Sequence, residues 1–210
     1  MAFIVFEGID GCGKSTQIKL LADYLKSKNL SFVLTREPGG TPLGEEVRRL
    51  LLKTDGEVPH PRTELLLYEA IRVQHVEEVI KPALTQKKWV ISDRFYASTT
   101  AFQSAGRDLK LNDIKWLNDY AAGGTKPELT ILIDVSVKES QKRLSQRNLS
   151  TGHDRFELEK QEFHDKVRLS YLAQAEEDSS SWIVVDGALP LQQIHQLIIN
   201  ELLHRKWIRP

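Results

Sequence analysis

A single α/β domain, with a parallel sheet covered by helices on both faces, is the architecture this sequence predicts on three observations. Five short runs rich in apolar and β-branched residues alternate with longer stretches of helical periodicity. The runs are apolar nearly throughout instead of alternating, as expected of strands buried on both faces. And 210 residues, of which 40% are hydrophobic, suit one compact domain with a sizeable core. No internal repeat, low-complexity stretch or linker composition divides the chain, so residues 1–210 are expected to fold as one unit.

The elements follow in order. The first strand is Phe3–Glu7, and the amphipathic stretch 16–28 after it is a helix. A second strand, Phe32–Arg36, leads into a loop made rigid by two prolines and three glycines, then into a helix over 43–53. The long pattern 62–86 is a helix. The third strand, Trp89–Asp93, precedes helices at 96–104 and 112–123. The fourth, Leu129–Asp134, precedes a helix at 137–146, and the pattern from 156 to 177 is helical. The fifth strand, Trp182–Asp186, is followed by a helix over 191–205. In such sheets ligands sit at the carboxyl ends of the strands, where this chain puts Glu7, Arg36, Asp93, Arg94 and Asp134.

Between the first strand and the first helix lies Gly8-Ile9-Asp10-Gly11-Cys12-Gly13-Lys14-Ser15-Thr16. Its spacing, G-x-x-x-x-G-K-[ST], suits a nucleotide: glycines let successive backbone N–H groups turn toward phosphates, the lysine reaches the β/γ-phosphates, and a hydroxyl meets Mg²⁺. The strand before and the helix after it supply the context such a motif needs. Cys12 lies close to a helix N-terminus and a lysine, which activate a thiol, but a side chain packed beneath the loop would be inert.

Three further clusters bear on chemistry. Arg36, in Thr35-Arg36-Glu37-Pro38-Gly39-Gly40-Thr41, is suited to gripping a phosphate bidentately, or it forms a capping salt bridge with Glu37 or Glu45. Asp93 and Arg94 present a carboxylate to Mg²⁺ and a guanidinium to a phosphate; a buried ion pair is the alternative. Arg143, Arg147 and Arg155 flank a polar segment read as a lid over about 143–156, able to bring positive charge over a triphosphate, although arginines on helix surfaces are often merely solvated.

Composition excludes other classes. Lysine plus arginine and aspartate plus glutamate each total 29, mixed in sign along the chain, so there is no basic field for nucleic acid. One cysteine makes no internal disulfide, and the six histidines lack metal-ligand spacing. Without an evident signal or membrane segment the chain is expected to be cytoplasmic.

Phe6-Glu-Gly-Ile-Asp-Gly-Cys-Gly-Lys-Ser-Thr16, Thr35-Arg-Glu-Pro-Gly-Gly-Thr41, Asp93-Arg-Phe95, Ala101-Phe-Gln103 and Asp154-Arg-Phe-Glu157 stand in an order and spacing that resembles the thymidylate kinases, across nearly the whole chain. The resemblance implies a P-loop NTPase fold of the nucleoside monophosphate kinase kind, with a five-stranded sheet. It implies transfer of the ATP γ-phosphoryl group to dTMP with Mg²⁺, and a homodimer packed through long helices such as 62–86. It also implies roles. Gly8 to Thr16, Arg143 and Arg147 would hold ATP, with Ser15 and Asp93 on the metal. Asp10 would bond the dTMP 3′-hydroxyl, Arg36 and Arg94 its phosphate, Arg72 the thymine O4 and Gln103 the pyrimidine edge. Tyr68 would stack on the base, Phe102 crowd the sugar, and Ser98 complete the substrate site. Lys14, Arg94 and Arg155 would be catalytic, the lid supplying the arginine because position 11 is glycine, as in bacterial-like members. A cis Glu37–Pro38 peptide is expected as well. Read without the resemblance, Tyr68 and Phe102 are plain core residues and Asp10 a cap of its own loop. A kinase of another monophosphate, or a nucleotide-dependent switch, remains the alternative.

Overall fold

The computed structural model describes residues 2–147 and 154–209, except for the side chain of Arg147. All strands have the predicted bounds: β1 (Phe3–Glu7), β2 (Phe32–Arg36), β3 (Trp89–Asp93), β4 (Leu129–Asp134) and β5 (Trp182–Asp186). They form one parallel sheet in the order β2-β3-β1-β4-β5. The register pairs Arg36 with Asp93 and Phe6 with Asp93, so the charged ends of β2 and β3 meet beside the exit of β1.

Alternate residues of β1 face opposite layers. Ile4 and Phe6 belong to one buried cluster with Leu21, Val167 and Ile198, while Phe3 and Val5 pack on the other face with Val76, Ile80 and Phe95. Complete burial holds only for the middle of the sheet. β1 is sealed throughout, whereas the outer strands β2 and β5 expose Leu34 and Val184. Edge strands have a neighbour on one side only, so their apolar sequences do not carry full burial.

The helices are α1 (Lys14–Ser27), α2 (Pro42–Leu52), α3 (Pro61–His75), α4 (Lys81–Thr85), α5 (Tyr96–Thr99), α6 (Leu111–Ala122), α7 (Val137–Arg147), α8 (Gln161–Glu177) and α9 (Leu191–His204). Thr41 caps α2 by accepting the Gly44 N–H at 3.0 Å, with Pro42 in the first turn. The predicted helix 62–86 is continuous but widens to a π-turn at Val76–Ile80, just before Pro82, whose ring removes an N–H and crowds the turn behind it. Likewise α5 runs into a π-turn segment, Thr100–Gly106, which carries Phe102 and Gln103. The pattern from 156 is not helical at its start. Asp154 Oδ1 accepts the N–H groups of Phe156 and Glu157 at 2.9 and 3.0 Å, closing a side-chain turn that delays α8 to Gln161.

Replacing Phe6, which is fully buried in the central strand, by alanine is expected to cost about 3–5 kcal/mol of unfolding free energy. Val184→Ala on the edge strand is expected to cost under about 1 kcal/mol. Urea denaturation of the two variants checks the difference.

Candidate active site

The strand ends, α1 and the following loops enclose one cleft of about 720 Å³, within the range of small-molecule sites. At one end lies the phosphate loop. Its turn depends on Gly8, where φ is +135° and a Cβ would stand 2.5 Å from the Ile133 carbonyl oxygen. Residues 10–17 line the cleft, while the Ile9 side chain is buried beneath it. Lys14 Nζ donates to the carbonyls of Gly8 and Ile9 at 2.9 and 3.2 Å. Ser15 Oγ donates to Asp93 Oδ2 at 3.3 Å, so hydroxyl and carboxylate stand together at the mouth of the loop. Two protein oxygens beside a phosphate cradle suit Mg²⁺, which keeps most of its shell for water and phosphate. Among the described residues no cluster of three or more metal-ligating side chains offers an alternative site.

Arg143 spans this end. Its guanidinium donates to the Cys12 carbonyl at 3.3 Å, the Gly187 carbonyl at 3.0 Å and Glu139 at 2.8 Å, tying α7 and the loop after β5 to the phosphate loop. Leu144, Leu189, Leu191 and Ile194 add an apolar wall. The backbone of Arg147 closes α7; its side chain, and residues 148–153 of the lid, lie outside the described residues.

The middle of the cleft is organised by Arg94, a non-glycine residue at φ +74°. Its Nη1 donates to Ser98 Oγ at 3.1 Å and Tyr171 Oη at 2.9 Å, and its Nη2 to Asp10 Oδ1 at 2.7 Å. Nε–H and one Nη2–H have no acceptor among the described residues, and Arg94 lines the cleft. Glu7, fully buried beneath, accepts from Phe95 N–H, Ser98 Oγ and Tyr171 Oη at 2.7 to 2.9 Å. Burial pushes the Glu7 carboxyl up despite Arg94. Burial would push Asp10 up as well, but the charges of Arg94 and Lys14 outweigh it and hold Asp10 at about 2.

Arg36 lines the mouth of the cleft, with Nη2 on Glu45 Oε2 at 2.9 Å. The salt bridge with Glu45 is the pairing observed, and it uses a single donor of the guanidinium. Arg48, which the motifs did not single out, joins it by donating to the Pro38 carbonyl at 2.7 Å. The Glu37–Pro38 peptide is cis. At the far end Tyr68, Phe102 and Phe156 form an aromatic wall, with ring centroids 6.4 Å (Tyr68–Phe156) and 5.7 Å (Phe102–Phe156) apart, and Arg94 lies 5.1 Å over the Phe102 ring. Gln103 and Thr99 complete it. Asp134, a strand-end charge, is turned aside into a bidentate pair with Arg168 at 2.7 Å.

The structure gives Arg72 and Arg155 protein partners that the motifs did not show. Arg72 borders the cleft, but every N–H of its guanidinium already has a protein acceptor: Glu37, Glu69, Asn118 and Thr99, all at 2.8 to 2.9 Å. A thymine O4 would have to share one of these donors, and the side chain is first a buried charge hub. Arg155 is docked away from the phosphate loop and does not line the cleft. It bonds the Leu51 carbonyl at 3.1 Å and Glu64 at 2.6 Å, and lies 4.5 Å over the Phe156 ring. In this arrangement Arg143, not Arg155, stands over the phosphate loop. Gly11 has φ +75°, and a Cβ there would meet the Ser140 carbonyl oxygen at 2.9 Å, so the turn of the loop favours glycine at this position. Cys12 is buried, with its Sγ 3.7 Å from Lys14 Nζ.

Sequence reasoning also missed Glu37, Glu64 and Tyr171 as orienting groups. Glu64 was findable, since positions 64, 68 and 72 share one face of α3. Tyr171 was not, because its partners are remote in sequence and no local pattern marks it.

A phosphate loop opening onto an arginine-lined pocket with an aromatic far end defines a nucleotide-dependent phosphotransferase of the P-loop fold. The comparisons carry this further. The thymidylate kinase family model matches residues 6–198. The chain is 48% identical to the thymidylate kinase of Bdellovibrio bacteriovorus over 208 residues, covering 98% of this chain and 97% of that one. It is 46% identical to the thymidylate kinase of Geotalea uraniireducens, with 97% of each covered. The crystal structure of thymidylate kinase from Ehrlichia chaffeensis superposes with a TM-score of 0.78 at 37% identity, covering 96% of this chain and 98% of that one. This chain belongs to the thymidylate kinase family.

Arg72→Ala strands the buried Glu37 and Glu69 carboxylates, so an unfolding free energy lower by about 3–5 kcal/mol is expected before any effect on substrate. Differential scanning calorimetry tests it. Asp10 has a folded pKa below its ordinary 3.8, so its contribution to stability is complete above about pH 5 and is lost as pH falls toward 2. The stability gap between wild type and Asp10→Asn, followed by urea unfolding from pH 7 to 3, is expected to be constant at first and then to shrink.

Proposed function

We propose that this chain transfers the γ-phosphoryl group of ATP to dTMP, giving dTDP and ADP. The observation that carries this is the continuity of the cleft: phosphate loop, Arg94 with free donors, and an aromatic wall ending in Gln103 lie along one cavity of nucleotide dimensions. An oxygen of the dTMP phosphate attacks the γ-phosphorus, the bond to the β,γ-bridging oxygen breaks, and ADP leaves with that electron pair. The acceptor phosphate is already ionised near neutral pH, so the residues' task is positioning and charge neutralisation.

In this reading Lys14 exchanges its carbonyl partners for the β/γ-phosphates, and Arg94 holds the acceptor through Nε and Nη2, with Arg36 and Arg48 adding charge on the same side. Arg143 fixes the loop carbonyls and keeps further N–H donors for the triphosphate. Ser15 and Asp93 would hold Mg²⁺, which supplies charge neutralisation across the phosphates. Asp10, anchored by Arg94, accepts from the dTMP 3′-hydroxyl, and Ser98 completes the cage around Arg94. Tyr68 stacks on the base, Phe102 crowds the sugar, and Gln103 meets the pyrimidine edge.

Two copies of the chain form the working unit in this reading. The neighbouring helices α3 and α6 leave Leu66, Val73, Trp116 and Tyr120 exposed, the last two at 65% and 71% with their rings stacked 5.7 Å apart. A second copy would bury them. The proposed compartment is the cytoplasm, where nucleotide substrates are found; among the described residues no helix is long and apolar enough to cross a membrane.

Lys14→Ala is expected to leave a folded protein with transfer activity reduced by a factor of about 10² or more. A coupled assay of ADP release with dTMP, dUMP, dCMP, UMP and dGMP tests the assignment: dTMP as the best acceptor supports it, and another monophosphate as the best acceptor overturns it.

A further inference from the structure

Glu64, on α3, is completely buried and is not needed by the phosphoryl-transfer scheme above, yet several polar groups converge on it. Gln103 Nε2 donates to Oε1 at 2.8 Å, Arg107 Nε approaches Oε1 at 3.4 Å, and Arg155 Nη2 donates to Oε2 at 2.6 Å. Arg107 is itself held by Glu159 at 2.6 Å and lies over the rings of Phe156 and Phe163. The carboxylate is therefore fixed in place by two guanidinium groups.

That fixation has a consequence for Gln103. An amide side chain can present either oxygen or nitrogen in a given direction, and its partners decide which. A carboxylate facing two arginines only accepts, so Gln103 must turn its NH₂ group toward Glu64 and its oxygen the other way. Gln103 borders the cleft, and its Oε1 has no partner among the described residues. Nor is that oxygen sealed: the sealed, unpartnered side-chain atoms among the described residues are Gln17 Oε1 and His195 Nδ1. The carbonyl oxygen of Gln103 is thus open to the cleft at its aromatic end.

We infer that Glu64 is a positioning residue for base recognition: by holding the NH₂ of Gln103 it makes the pocket present an acceptor, and so selects a pyrimidine whose N3 carries a hydrogen. Thymine and uracil offer N3–H to that oxygen. Cytosine offers an N3 lone pair, leaving two acceptors face to face, which sites built to accept a hydrogen bond reject strongly. Arg155 gains a role here as well, in clamping Glu64. The inference rests on the reading that Gln103 meets the pyrimidine edge.

The test compares kcat/KM for dTMP and dCMP, with saturating Mg-ATP, in wild type, Gln103→Ala, Glu64→Gln, Glu64→Asp and the double variant Gln103→Ala/Glu64→Asp. Glu64→Gln allows the Gln103 amide to flip, since the new side chain both donates and accepts. Glu64→Asp keeps the negative charge for the arginines, and with it the fold, but withdraws the carboxylate from Gln103 by one methylene. Both are expected to lower the dTMP:dCMP ratio about tenfold or more, chiefly through KM for dTMP, with KM for ATP unchanged. Gln103→Ala is expected to lower the ratio as far, and the double variant no further. A ratio unmoved by Gln103→Ala overturns the reading on which the inference rests. A ratio that falls with Gln103→Ala but holds in Glu64→Asp overturns the orienting role alone. A loss of melting temperature with the ratio intact in both Glu64 variants makes Glu64 purely structural and overturns it too.

Discussion

The arrangement of Arg94 is the constraint around which the site is built. A guanidinium placed under the cleft floor loses hydration that only charged and hydroxyl partners can replace. Glu7 at the end of β1, Asp10 in the phosphate loop, Ser98 on α5 and Tyr171 on α8 supply them. Four separate segments are thereby fixed against one side chain, and the left-handed backbone at Arg94 is the strain this over-determined cage sustains. The pairing acts in both directions. Arg94 remains charged far beyond any working pH, and Asp10 stays ionised even though it is drawn out of water.

The same device recurs along the cleft. Three side chains of the cleft wall are each held from behind by a buried carboxylate: Arg94 by Glu7, Arg72 by Glu37, which also holds His75, and Gln103 by Glu64. A carboxylate accepts and never donates, so it dictates which atoms of its partner remain for the cleft. Arg72 lies at one extreme, with every donor consumed by protein. Arg94 lies at the other, with an edge left open. The difference between a structural and a binding arginine is therefore a matter of how many acceptors surround it, not of its position in a motif.

The sheet makes this possible through its register. Because all strands run the same way and β1 sits between β3 and β4, the phosphate loop leaves the sheet at its centre and the charged ends of β2 and β3 arrive beside it. The central strands, sealed on both faces, form a rigid floor. The looser elements, the π-turns at Val76–Ile80 and Thr100–Gly106, carry the chain past a proline and through Phe102 and Gln103. Wider turns of this kind project side chains off the regular helical spacing, which is how adjacent residues both reach the cleft wall.

By itself the sequence determined the strand bounds, the single parallel-sheet architecture, the phosphate loop and the Arg36 and Arg94 clusters, because each rests on local information: apolar runs of strand length, glycine spacing, and charges at strand ends. That Tyr68, Phe102 and Gln103 line the cleft was expected only through resemblance to a family to which the chain does belong. Only the tertiary structure decided what each polar group is free to do. It paired Arg155 with Glu64 across 91 residues and Tyr171 with Glu7 across 164, it buried Cys12, and it saturated Arg72. It also started α8 late, at Gln161, where a side-chain turn at Asp154 outcompeted helical periodicity. The physical reason is common to all of these. Propensity and motif act over a few residues, whereas the fate of a buried donor is set by whichever acceptors folding brings within about 3 Å of it.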